Sequence, residues 1–295
     1  MQTSLQRYTP SGAFRLSIVV YAVGGLLGAV LLAGFYEFLL DLIPFVYINL
    51  LLTLGFGFGL AFMGSLVIKS AHCRNRGIAL VLALVIGGTG LAASYGWGYR
   101  RALSTVAEQY ADTTVLELAQ EISVTAWLEA RMEHGWTLRN SDVNGGLVVF
   151  IWAIEALVVL GFALTVGVSE AAEPYCERCQ RWTESQGTGI PGLTRADVQP
   201  LLDKGDLAAV LSLQERTDTD AAVRIQLLRN YCPQCSQTAY LTVNEVRTEV
   251  ESGKEKENKT ELISKVELTS KLNTLYLQRL NTPQAEATVG ASVAS

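Results

Sequence analysis

The chain has 295 residues, a mean hydropathy of +0.27, 17% charged residues and a formal net charge of -5. Its apolar residues are not spread evenly but concentrate between Leu16 and Val168, which excludes a uniformly patterned soluble protein. The excess of acid over base also argues against a nucleic-acid binder, which needs a basic face.

Residues 1–16 read as a short polar tail carrying Arg7 and Arg15. Four apolar segments follow, at 17–39, 43–68, 78–97 and 147–168. Each approaches the roughly 20 residues that cross a bilayer core. A spanning segment must satisfy its own backbone hydrogen bonds, so all four are expected to be helices. The first is too long for a signal-peptide core and lacks a small-x-small cleavage site, so it reads as an uncleaved span. Glycines mark close helix packing or contacts between protomers: Gly24 with Gly28, Gly55 with Gly59, then Gly57, Gly64, Gly87, Gly88 and Gly90. The Gly-Phe-Gly-Phe-Gly run at 55–59 is no nucleotide loop, because no Lys-Ser/Thr follows and it lies within a span. Glu37, near the end of the first span, is expected at the membrane interface.

Lys and Arg near the span ends set the orientation. Arg7, Arg15, Lys69, Arg74, Arg76, Arg178 and Arg181 fall on one side, against Arg100, Arg101, Arg131 and Arg139 on the other. Seven against four puts both termini in the cytosol of a multi-pass plasma-membrane protein. All five cysteines then lie on the reducing side, where thiols stay available for metal. Cys73, beside His72, reads as a lone juxtamembrane thiol.

The outer loop at 98–146 carries Leu103, Ala107, Tyr110, Ala111, Val115, Leu118 and Ile122 at helical spacing, opposite Glu108, Asp112 and Glu121. One amphipathic helix continuing from the third span is expected, followed by a turn-rich stretch from Trp136 to Gly146. In the fourth span, Glu155 is an ionisable group at a depth where charge is costly. It suits a proton relay, a cation site, or a hydrogen bond to Tyr21, Asn49 or Thr53. The bland alternative is a protonated acid in one interhelical hydrogen bond.

Beyond residue 169 the composition becomes that of a polar domain, with 14 basic and 18 acidic residues. Two Cys-x-x-Cys units stand in it, Cys176/Cys179 and Cys232/Cys235. One pair grips one side of a metal ion and a second closes the tetrahedron, the usual closed zinc site. Alternation along 222–228 and 238–250 indicates a hairpin whose tip carries Cys232 and Cys235, with Leu241, Val243 and Val246 on its inner face. Between the pairs, 190–215 reads as a helical insert, with one helix capped by Thr194 and another over 206–213. A third strand is expected over 260–269, a short helix over 272–280, and a disordered tail over 281–295.

The four-cysteine arrangement resembles the zinc ribbon, a broad structural class, over 175–269. The resemblance implies one structural zinc per chain and nothing about substrate. An all-cysteine set also accommodates iron, and a Cys-x-x-Cys pair alone also serves redox chemistry. Segments around Tyr8–Gly12, Pro44–Asn49 and Cys73–Asn75 are similar to those of bacterial multi-span membrane proteins, which implies a bacterial inner membrane.

The fold class expected is therefore a membrane all-α bundle of four transmembrane helices, plus a small α+β zinc-ribbon-like cytosolic domain over 169–280. No catalytic constellation is present: the two histidines, His72 and His134, lie on opposite sides, and no zincin motif, nucleophile elbow, P-loop or dinucleotide fingerprint occurs. The leading expectation is a non-enzymatic scaffold or assembly protein whose zinc-bearing domain binds a protein. The alternatives are a small transporter or channel using Glu155, and a membrane thiol oxidoreductase using the two cysteine pairs.

Overall fold

The computed structural model describes residues 5–43, 46–109, 114–138, 141–216, 222–235, 237–251 and 254–281. Two compact units result, Pro10–Glu173, and Met1–Thr9 together with Pro174–Ser295. Residues 282–295 of the expected disordered tail lie outside the described residues, as do Pro44, Tyr110, Ala111, Asp112, Arg139, Ser252 and Gly253.

The first unit is built on α1 (Ile18–Leu42), α2 (Val46–Ser70), α3 (Arg76–Gln109) and a later helix, α6 (Gly146–Ala171). All four are long and apolar enough to cross a membrane. Their apolar side chains face outward: Leu31 and Val20 are each 73% exposed and Leu157 71%. A continuous exposed apolar surface of this kind suits lipid and not water. Helix α1 packs on α2 and α3, and α6 packs on the same two, so the ring order is α1, α2, α6, α3. At the α2–α6 contact, a Cβ on Gly57 would lie 3.2 Å from the Val159 Cα, so glycine there lets the two backbones approach. The expected glycine stripes divide: Gly28 and Gly59 meet neighbouring side chains, while Gly24, Gly55, Gly64 and Gly88 face open space.

Before α3, the Arg74 backbone N–H donates to the Ala13 carbonyl, the Asn75 side chain donates to the Gly12 carbonyl, and Arg74 Nε donates to Ser11 Oγ. The Asn75 side chain also accepts from the Ile78 N–H and so starts α3. Cys73 is buried in this loop, its thiol directed at the Asn75 carbonyl, and burial pushes its pKa up. An inert structural thiol fits that setting.

The outer loop departs from a single amphipathic helix. Thirty-four residues of α3 extend about 51 Å, more than the roughly 30 Å apolar core, so its polar C-terminal part continues past the span. A second helix, α4 (Val115–Glu121), starts at a capping box in which Thr114 and Glu117 satisfy each other's backbone N–H groups. That box resets the chain, because Thr114 is extended and cannot continue a helix. Then come α5 (Val124–His134), and a hairpin of β1 (Trp136–Leu138) and β2 (Ser141–Val143) where only turns were expected. Gly135 ends α5 with φ +54°, and a Cβ there would collide with the Val143 carbonyl oxygen.

The second unit begins with the small hairpin β3 (Tyr175–Cys176) and β4 (Arg181–Trp182). A four-stranded antiparallel sheet follows in the order β5 (Glu184–Pro191), β6 (Val223–Tyr231), β7 (Ala239–Glu251), β8 (Lys254–Glu267). Helices α7 (Arg195–Asp203), α8 (Leu207–Ser212) and α9 (Ser270–Asn281) supply the rest of its core. Ile190, Val198, Val210, Ile225, Leu227, Leu241 and Val243 are fully buried there. The Thr194 cap, the helix begun by Asp206 and the β6–β7 hairpin match the sequence reading. Register shifts in β7 around Val243 explain why Leu241, Val243 and Val246 are all buried despite breaking strict alternation.

Two features were not expected. Strand β5 occupies the start of the segment between the cysteine pairs; its Ser-Gln-Gly-Thr-Gly composition gives no strand pattern, and its pairing with β6 alone defines it. The N-terminal tail, read as a separate segment, joins this unit: Tyr8 N–H donates to Lys265, Glu267 N–H donates to Gln6, and the Tyr8 ring meets Tyr240 edge-on at 5.0 Å. Covering the edge of β8 in this way removes open sheet hydrogen bonds.

Candidate metal centre and membrane cavity

Cys176, Cys179, Cys232 and Cys235 come together, with all four sulfurs within 4.8 Å of one another. Local turns make this possible. Cys176 ends β3 and Cys179 sits in the tight turn to β4, where Gln180 takes a positive φ of 53°. Cys232 and Cys235 lie in the turn between β6 and β7, which the Cys232 N–H closes on the Thr238 carbonyl at 3.0 Å. Arg178 donates to Gln237, tying one turn to the other, and Tyr175 stacks edge-on against Trp182 at 5.1 Å beneath the first.

All five cysteines are free thiols, and the Cys176–Cys235 sulfurs stand 3.8 Å apart, far beyond a disulfide bond of ~2.05 Å. Four sulfurs placed ~2.3 Å from a zinc ion define a tetrahedron with edges of about 3.8 Å, so the observed spacing fits a metal ion. Among the described residues, no His, Asp or Glu joins the group. The backbone N–H groups of Gln237 and Thr238 pull the Cys235 thiol down to about 6. Burial, then the neighbouring thiols of Cys235, Cys232 and Cys176, push Cys179 up to about 12. Thr238, whose Oγ1 lies 3.3 Å from the Cys176 sulfur, escaped the sequence reading. Its place three residues after Cys235, within the same turn, was the available signal.

In the helical unit, Glu155 lines a cavity of about 800 Å³. Nine residues into α6, it stands about 14 Å from that helix's start. Because α6 enters on the side where α1 ends, Glu155 is level with the end of α1, and Tyr21, fifteen residues before Tyr36, is not on the cavity wall. Asn49 and Thr53 are on it, but among the described residues neither is hydrogen bonded to Glu155. Glu37, near the end of α1, is a second acid on the same wall. An acid within the apolar run 35–40 was the sequence signal for it.

Across this cavity, Tyr36 OH and Thr53 Oγ1 are hydrogen bonded at 3.0 Å, and Thr53 donates to the Asn49 carbonyl. Tyr36 stacks on Phe56 with centroids 4.5 Å apart. From α5, Arg131 lies over the Trp127 ring at 5.1 Å and the Trp152 ring at 5.8 Å. Its charge acts on both Glu37 and Glu155. Arg101, which broke the basic-residue pattern, pairs with Asp41 at the end of α1, and Arg100 lies over Trp97.

Comparison of the chain with protein-family models, with curated proteins and with solved structures finds no match.

Proposed function

We propose that the protein is a membrane-embedded scaffold or assembly protein, in which Cys176, Cys179, Cys232 and Cys235 hold one structural zinc ion. The observation that carries this reading is the convergence of four sulfurs from two turns of one unit, with no other ligand type among them. A closed four-sulfur shell leaves no position for substrate, so the metal organises the fold and does not act on a molecule. The unit so organised carries more acid than base, which favours a protein partner over nucleic acid. In this reading both termini face the cytosol of a bacterial inner membrane.

Metal and free-thiol content of the detergent-purified full chain tests this directly. About one zinc per chain, with four thiols released only on chelation, is the expected result. Iron in its place would keep the site and change the metal. Paired disulfides without metal would overturn both the site and the cytosolic placement, and would favour the thiol oxidoreductase.

A second reading, a small transporter or channel using Glu155, draws support from the place of that acid on a cavity wall. It requires Glu155→Gln to abolish solute flux in vesicles while the protein still folds.

A further inference from the structure

We infer that the cavity between α1, α2, α3, α5 and α6 is a binding site for a lipophilic organic ammonium ion. Its volume of about 800 Å³ falls within the ~300–1,000 Å³ of small-molecule pockets. Most of its lining surface is apolar, and Tyr36, Phe56, Tyr95, Trp127 and Trp152 turn aromatic groups toward it. Aromatic faces attract cations, most strongly where water is excluded.

Charge selects the sign of the ligand. On the cavity wall Glu37 and Glu155 set two carboxylates against one guanidinium, Arg131; Arg101, whose charge also reaches Glu37, lies off that wall and is paired with Asp41. Among the described residues, neither Glu37 nor Glu155 makes a hydrogen bond or a direct ion pair. Arg131 is held over Trp127 and Trp152 and acts on both acids from a distance. An uncompensated carboxylate in a membrane interior is costly, and a ligand cation offsets that cost.

Two further observations narrow the class. The Asn49 Oδ1 is buried and accepts no hydrogen bond among the described residues, which an ammonium N–H would satisfy. No metal-binding group forms there: the sole convergence of ligand atoms among the described residues is the cysteine cluster. Anionic head groups are disfavoured by the same excess of carboxylate. The site therefore calls for a protonated amine with an aromatic or aliphatic body. This inference deepens the second reading above by naming its ligand class, but it concerns binding and does not require transport.

The test is equilibrium binding of dibenzylammonium to the full chain in detergent, beside its neutral isostere dibenzyl ether and its N,N-dimethyl quaternary analogue. Saturable binding at one per chain is expected, with the ether weaker by about tenfold or more and the quaternary ion, which lacks the N–H, intermediate. Glu155→Gln and Glu37→Gln should each weaken the ammonium by about tenfold while leaving the ether unchanged. Equal affinity for ether and ammonium, or no saturable binding, overturns the proposal; the comparison uses the unaltered protein and survives a variant that fails to fold. Undiminished binding in the folded Glu37→Gln/Glu155→Gln double variant also overturns it. Binding without flux in vesicles would remove the transport reading and leave the ammonium site standing. Glu155-dependent flux of another solute, with no ammonium bound, would do the reverse.

Discussion

At the cysteine cluster the backbone does the positioning: two hairpin turns bring four sulfurs within 4.8 Å and aim the amides of Gln237 and Thr238 at one of them. In the helical unit the backbone donors are consumed inside α1, α2, α3 and α6, as they must be in a bilayer. Glu37 and Glu155 are left with side-chain neighbours only, on helices whose spacing leaves about 800 Å³ between them. Turns converge on a point and suit an ion, whereas helices enclose a volume and suit a molecule. The same need, to place polar groups away from water, therefore produces a closed shell in one unit and an open cavity in the other.

The largest expected effect separates the two. Cys232→Ser should abolish metal binding and cost the tail unit on the order of 10 kcal/mol of metal-linked stability, comparable to the whole stability of a small domain. Hydrogen exchange should show β3, β4 and the ends of β6 and β7 losing protection while α1, α2, α3 and α6 keep theirs. Retained protection around residues 232–238 in that variant would mean that the sulfurs do not organise the fold.

Burial of apolar side chains should differ between the units in the same sense. Leu241 is fully buried in the tail core, so Leu241→Ala should cost about 2–5 kcal/mol in denaturant unfolding of that unit. Leu157 is 71% exposed on α6, where lipid replaces the lost contacts, and Leu157→Ala should cost under about 1 kcal/mol in the same detergent. Equal costs would mean that the outward face of α6 is covered by protein.

These contrasts follow the limits of sequence reading. The four helices and the cysteine pairs are legible because each is local: twenty apolar residues or a Cys-x-x-Cys turn carries its meaning without the rest of the chain. The Thr194 and Asp206 caps are legible for the same reason. Strand β5 is not, because Gly187 and Gly189 give no alternation and only β6 beside it makes it a strand. Nor is the docking of Gln6 and Tyr8 on β8, which joins residues more than 250 positions apart. Glu155 was singled out as an ionisable residue within an apolar span, but Glu37 and Arg131 join it through helix pairing and the return of α5, and no spacing in the sequence encodes that.

A smaller effect with an informative sign is expected at Glu155. If its carboxylate is an uncompensated charge awaiting a cation, Glu155→Gln should stabilise the ligand-free helical unit by about 1–3 kcal/mol, read as a raised melting temperature. A structural hydrogen bond would give the opposite sign.

The smallest effect lies at the start of α7, where the tail unit again uses a backbone amide to hold an acid. Glu245, buried on β7, accepts from the Arg195 N–H at 2.7 Å and pairs with Arg247 at 3.1 Å. Burial alone would raise its pKa, but the amide and the guanidinium bring it below the ordinary 4.5. With the folded value depressed, ionised Glu245 contributes stability that is fully present above pH 4.5 and is lost as the pH falls through the folded pKa. Asp197, capping the same helix through the Thr194 amide and hydroxyl, is likewise held below its ordinary 3.8 and adds to the loss at the acid end of that window. Glu245→Gln keeps an acceptor for the amide while removing the charge, so it should cost about 1 kcal/mol at pH 7 and less as the pH falls below 4. Acid titration of tail-unit stability would then run flatter in the variant than in the unaltered chain; parallel curves would assign the acid sensitivity to other carboxylates and leave Glu245 as a neutral packing group.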